Sequence, residues 1–493
     1  MLLLGAQEQS HRSQVMDGTR SYRVHLPATY TNSQKRYPVI YWLHGYETGG
    51  DDRDAQLSAW AAKHDAIVVD SGPAETSGNF PLYLPELADR IDHTLRTLPG
   101  REHRAVSGFG IGGFLALWLA ANMPDLVSSA SAISPSQSAS VGPRGFEVDT
   151  VLADLRLDQE AVRTRLFNSG DPSAALDFHL GIFAAPPGKP ASFSHADPYP
   201  NFSVWDWQVI SNRRRPGITL LQNVSPRGFH CVVREWLPNG APIPAVKLTV
   251  TSPKLFQPRT SHNVSYVRLA DRKTRRVLQR SDAEGRMTFD LDGGEYEVGI
   301  GAEPAVALTG YELVSAPWAQ TGAPVKLRLE FCNKGGSPSP LITLKWESPN
   351  PGVKFADAVS RIPALAPGEF MVLPVTLTAS IPGTVRVLAA GLWTEIPVYP
   401  EAAPGRFQIL DESDHDGHAS PGETFAVSLP DGRAELITND PCVDTSLRIV
   451  EEGVRYTHGV IRSNCEPGRT VHMLARTATS YMPVEFPIWY KLP

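Results

Sequence analysis

Four cysteines in 493 residues are too few to staple a string of small domains together, and no two are spaced as paired zinc ligands. Long apolar runs are missing as well, which excludes a membrane-spanning helix of about 20 residues. Charge of one sign is scarce: 46 Lys and Arg against 52 Asp and Glu leave a net charge of −6. That balance gives no basic stripe for nucleic acid. What the chain does have is length and apolar content. A domain takes roughly 100–200 residues, so three to four units are expected, and 42% hydrophobic residues suffice for a core in each.

The N-terminal stretch alternates strands with helices. Arg20–Pro27 alternates like an antiparallel edge strand, whereas Tyr37–Gly45 and Ala66–Asp70 are short, nearly continuous apolar runs of the kind buried on both faces of a sheet. Between them, residues 55–64 have helical character. Farther on, Leu87, Ile91 and Leu95 share one helical face. This order predicts a mainly parallel α/β sheet with right-handed crossovers.

The run Ala105-Val106-Ser107-Gly108-Phe109-Gly110-Ile111-Gly112-Gly113-Phe114 then reads as a strand, a tight turn and a buried helix. In α/β-hydrolases this corner is G-x-S-x-G, with the serine lifted above the sheet. Here the central residue is Gly110, so the flanking glycines are present and the attacking atom is not. Ser107 does not fit a shifted frame, because Ala105 and Phe109 stand where glycines are required and Ser107 falls on the strand. Leu43-His44-Gly45-Tyr46, the helix from Leu84 to Leu98, the Arg104–Gly108 approach and Pro124–Ala130 after the helix complete the pattern. Residues 14–238 thereby resemble the esterase family of α/β-hydrolases that includes esterase D, feruloyl esterases and the antigen 85 mycolyltransferases.

The resemblance implies an oxyanion hole from the backbone around Gly45 and Tyr46 and from the amide of Ile111. It also implies an acid and a histidine after the elbow. Asp171 is the acid candidate, as a residue following a strand, with an Asp-Pro turn initiator as the alternative. His195, in a polar loop bounded by prolines, is the histidine candidate, with a loop histidine of no chemical role as the alternative; His179 and His230 compete less well. The resemblance implies no cofactor for this domain.

After Pro238 helical periodicity gives way to short alternating segments broken by Pro, Gly, Asn and Asp, the pattern of β-sandwich modules. Residues 239–307 resemble prealbumin-like domains, residues 308–400 resemble immunoglobulin-like modules, and residues 401–493 form a last β-module. The fold expected is therefore multidomain, an α/β-hydrolase followed by all-β modules. In the last module Glu412, Asp414, Asp416 and Glu423 have the spacing of a calcium loop, although the flanks read as strands, and a plain acidic turn is the alternative. Cys442 and Cys465 share this module and form the expected disulfide, leaving Cys231 and Cys332 as buried thiols.

Residues 1–13 read as a signal-peptide remnant lacking its basic region, or as a disordered start, and export to a periplasmic or extracellular space is expected. Three functions stay open. The first is a pseudo-esterase that binds a carbohydrate or acylated ligand, with Trp205 and Trp207 as stacking surfaces or else as core residues. The others are an atypical ester hydrolase and a scaffold acting by adhesion through its β-modules.

Overall fold

The computed structural model describes residues 6–44, 50–73, 80–136, 138–141, 144–147, 161–168, 171–234, 242–243, 245–314, 316–411, 416–438, 440–451, 454–477 and 479–489. The chain divides into two compact units, one of Met1–Ser261 with Gln279–Tyr296, the other of His262–Leu278 with Glu297–Pro493. The segment 239–307, expected as one module, is thus shared between the two. Among the described residues no helix follows Ala184, so the elements are strands alone from well before Pro238, where the sequence pattern changes.

The N-terminal unit is built on β1 (Gln7–Ser13), β2 (Gly18–His25), β3 (Val39–His44), α1 (Gly50–Lys63), β4 (Ile67–Pro73), α2 (Phe80–Thr94), β5 (Arg104–Phe109), α3 (Ile111–Asn122), β6 (Ser129–Ile133), β7 (Ser138–Val141), β8 (Arg144–Glu147), β9 (Arg163–Phe167) and α4 (Ser173–Ala184). Seven of these strands form one sheet in the order β1-β2-β4-β3-β5-β6-β9. The pairs β3–β4, β3–β5, β5–β6 and β6–β9 are parallel, and only β1 and β2 run against their neighbours. The central strands are buried along their whole length: Val39 to Leu43 and Ile67 to Val69 are each at most 1% exposed. Such strands must be apolar on both faces, which is why they read as unbroken runs. Helix α3 is likewise apolar all round, and Phe114 to Ala120 are buried behind the sheet.

The chain does not rejoin this sheet after α4. It enters β10 (Phe193–Asp197), which pairs with β13 (Ile218–Ser225), itself paired with β14 (Gly228–Arg234), while β11 (Phe202–Val204), β12 (Trp207–Ser211) and β15 (Leu248–Thr251) form a further antiparallel set. His195 therefore sits inside a buried strand, not in the polar loop its proline-bounded sequence suggests. Its neighbours Ser194 and Asp197 are polar but satisfied: Ser194 Oγ accepts from the Asn223 amide at 3.0 Å and Asp197 from the Tyr199 amide at 2.7 Å.

In the C-terminal unit the strands Val306–Leu313, Val325–Asn333, Phe370–Ala379 and Val353–Phe355 pair antiparallel as one sheet. With Leu392–Tyr399 and Gly383–Ala389 they share a core of Leu327, Leu329, Phe331, Leu377, Val387 and Ile396. A second core, around Phe425, Val427, Val471, Met473 and Phe486, belongs to the last ninety residues. Cys442 and Cys465 are joined as a disulfide there, and Cys231 and Cys332 are buried thiols.

Candidate functional site

The corner between β5 and α3 has a nucleophile-elbow backbone. Gly110 stands at φ 57°, ψ −121°, a combination that side-chain-bearing residues rarely tolerate. Two neighbouring glycines make the corner possible by close approach. A Cβ on Gly112 would lie 2.1 Å from the Leu43 carbonyl oxygen, and one on Gly108 would lie 2.5 Å from Gly112. Helix α3 is thereby drawn against the end of β3. At Gly110 the situation is reversed: among the described residues, a Cβ there meets nothing within 4 Å.

Ser107 cannot take over. It is fully buried on β5 with its Oγ 2.8 Å from Ser131 Oγ. Ser131 and Ser129 in turn bind the two ring nitrogens of His179 at 2.8 Å each. Burial pushes the His179 ring down to about 3 and keeps it neutral. This serine–histidine network is closed to any substrate, since every member is buried to 0% exposure.

The remaining acid and histidine candidates do not converge on the apex. Asp171 follows β9 as expected, but it is exposed, and its carboxylate accepts from the Ser173 amide at 2.9 Å. That hydrogen bond lowers its pKa and opens α4, so the turn-initiator reading describes what it does here. His195 lies beside the other end of α3. Its Nε2 is 3.3 Å from Asp197 Oδ2, and it acts electrostatically on Asp125, just beyond the last helical residue Asn122. At about 1.5 Å per residue, a 12-residue helix is roughly 18 Å long. The partners named for His195 thus lie toward the far end of α3 from Gly110.

That far end has its own cavity, about 280 Å³, lined by Pro85, Trp118, Asn122, Asp125, Asp197 and Tyr199 among others. Burial raises the carboxyl pKa of both Asp125 and Asp197 above the usual carboxylate range. Trp205 and Trp207 are core residues, 4% and 3% exposed. The Trp205 amide binds Asp125 at 2.9 Å and Trp207 packs edge-on against Phe229, so neither ring offers a face for stacking a ligand.

Of the expected oxyanion donors, Ile111 is the first residue of α3, where helix geometry leaves its amide without a partner in the helix; Gly45 and Tyr46 lie outside the described residues. So do Glu412 and Asp414 of the calcium loop. Asp416 accepts from the His418 amide at 2.8 Å, and the buried Glu423 accepts from the Ser420 amide at 2.9 Å, contacts that a turn makes without an ion.

A polar cluster that sequence reading missed adjoins the elbow at the carboxyl ends of the strands, where open α/β sheets bind ligands. His44 closes β3, and its Nε2 is 2.5 Å from Asp70 Oδ2 in the middle of β4. Beside them, His25 of β2 faces Asp54 and Ser58 of α1, and Arg53 of the same helix covers the ring of Phe109, the residue before Gly110. The one local signal was a histidine directly before Gly45; the other members come from separate elements.

A mainly parallel sheet whose middle strand turns sharply into a buried helix is the frame of an α/β-hydrolase. The family model described as putative esterase matches residues 13–75 and 74–196, so this region carries the esterase pattern. A ferulic acid esterase from Anaeromyces mucronatus, solved with ferulic acid, is 18% identical over 36% of this chain and 89% of its own, with a TM-score of 0.29. An S-formylglutathione hydrolase from Agrobacterium tumefaciens is 16% identical over 38% and 97%, with a TM-score of 0.29. A fluorophosphonate-binding serine hydrolase from Staphylococcus aureus is 14% identical over 36% and 86%, also at 0.29.

Proposed function

We propose that residues 14–238 are an esterase fold without acyl-transfer chemistry, retained to bind a carbohydrate or acyl-ester ligand at the elbow end of the sheet. The observation that carries this reading is Gly110, which keeps the strained backbone of a nucleophile position, with no described residue within 4 Å of a Cβ there, and supplies no atom to attack. Acyl transfer at this corner needs a nucleophilic side-chain atom at its apex, within reach of a base. Exposure of the full-length protein to a serine-directed fluorophosphonate is expected to give no labelling, and short acyl esters little turnover. Stoichiometric labelling of any serine in the N-terminal unit overturns the reading.

An atypical ester hydrolase is the second reading, and the His44–Asp70 pair favours it, because a histidine held by a carboxylate can act on water. It requires ester turnover that His44→Ala abolishes in a folded protein. The C-terminal residues enter the proposal as spacing or attachment modules of an exported protein, with calcium in the 412–423 loop. Added calcium should then raise the melting temperature of the C-terminal unit, since a ligand of the native state stabilises it by mass action; an unchanged melting curve removes the ion.

A further inference from the structure

We propose that His25, Asp54 and Asp70 hold a divalent metal ion of the zinc class on the face of the sheet that α1 covers. One donor atom from each lies within 4.8 Å of the others. The three reach this point from β2, from α1 and from β4. Arg23, two residues before His25 on β2, pairs in register with Asp70, so the strands present His25 and Asp70 to the same face, the one α1 covers.

The decisive observation is a pair of atoms with no hydrogen-bond partner. His25 is 1% exposed, and its Nε2 and the Oδ1 of Asp54 are both buried and unpartnered. They face each other across 4.0 Å, too far for a hydrogen bond. A buried polar atom left unpaired costs about 1–3 kcal/mol, and here two are aimed at one point. An imidazole nitrogen lone pair opposite a carboxylate oxygen is a repulsive arrangement that a cation between them turns into an attractive one.

The surroundings are those of a metal site. The other ring nitrogen of His25, Nδ1, is 2.8 Å from Ser58 Oγ, which fixes the ring with Nε2 directed at the site. Asp54 is oriented by Arg23 through its second oxygen. Asp70 is held by His44 and by the Gly72 amide, at 2.5 and 2.9 Å. One imidazole and two carboxylates suit zinc or manganese better than calcium or magnesium, which prefer all-oxygen shells. Metal–ligand bonds of about 2.1 Å set tetrahedral donors roughly 3.4 Å apart, so the side chains close in by about an ångström on binding.

This inference uses neither the missing nucleophile nor ester binding, so it stands or falls apart from the reading above. The test is zinc binding by full-length protein stripped with a chelator, dialysed against zinc and measured by elemental analysis, with cobalt as a spectroscopic substitute. We expect about one zinc that Asp54→Asn weakens at least 100-fold, together with loss of the cobalt absorption bands. His25→Gln should do the same; if it does not fold, Asp54→Asn, on the less buried helix, decides alone. Wild-type protein that takes up no zinc overturns the proposal, as does an Asp54→Asn variant that binds zinc and gives the cobalt spectrum of the wild type.

Discussion

The two ends of α3 are built oppositely. At its start the backbone is strained, the neighbouring glycines admit close backbone approach, and a Cβ at the apex meets no described residue within 4 Å. At its end the backbone is ordinary, and a histidine, two carboxylates and a tyrosine crowd against the last turn. The acid and histidine expected from the sequence are not the groups beside the corner: His44 and Asp70 adjoin it, while His195 keeps company with Asp197. The difference teaches that the backbone of such a corner can be specified by glycine packing independently of the side chain at its apex. The scaffold is held by packing that any substitution at Gly108 or Gly112 would break, whereas nothing in the packing fixes what stands at residue 110.

The sharpest way to break this contrast is Gly112→Ala. A methyl 2.1 Å from the Leu43 carbonyl cannot be accommodated without moving β3 or α3, and a loss on the order of 4 kcal/mol is expected. Denaturant unfolding that shows under 1 kcal/mol would mean that the corner is not held as tightly as described.

Acidification should come next, and should act on the N-terminal unit. His25 and His179 have folded-state pKa values near 4 and 3, below the unfolded value of about 6.5. The unfolded chain therefore binds more protons across this window. Stability is complete above pH 6.5 and falls as the pH drops toward 4, by about 1.4 kcal/mol per pH unit for each histidine. Unfolding midpoints of the N-terminal unit that are flat between pH 7 and pH 5 would contradict the burial of both rings.

Gly110→Ser sharpens the comparison from the other side. The added Cβ meets nothing within 4 Å among the described residues but must adopt a positive φ, so a cost of about 1–2 kcal/mol is expected. With His195 at the far end of the helix, the variant should fold and still resist fluorophosphonate labelling. Stoichiometric labelling that His195→Ala removes would show that the two ends communicate after all. The smallest effect is that of Asp171→Ala, which deletes one exposed capping contact with Ser173. About 0.5–1 kcal/mol should be lost, with no change in ligand binding; a large binding defect would return Asp171 to the site.

Much of the N-terminal fold was legible because its signals are local. Apolar runs such as Val39–Leu43 and Ile67–Val69 can only be strands buried on both sides, and the glycine spacing around residue 110 encodes one particular corner. His195 was not legible. Ser194, His195 and Asp197 look like a loop in sequence, and only the partners supplied by Asn223 and Tyr199 allow so polar a segment to be a buried strand. The same limit hid His25, Asp54 and Asp70, which are scattered over 46 residues and meet only when β2, α1 and β4 are assembled. The Cys442 and Cys465 pairing was easier, because both fall within the last module.

The last strand of the large sheet, β9, follows from the same assembly. It has β6 on one side and is the terminal strand in the sheet order, and Arg163, Thr164 and Arg165 along it are exposed. A strand that ends a sheet, as β9 does among the described residues, is a template on which another chain can polymerise. Were a second copy to lie antiparallel along β9, centred on Thr164, arginine would be set against arginine at both flanking positions, and like charges placed directly opposite repel. A sheet that ends where it does can thus stay solitary in a crowded solution, guarded by two positive charges.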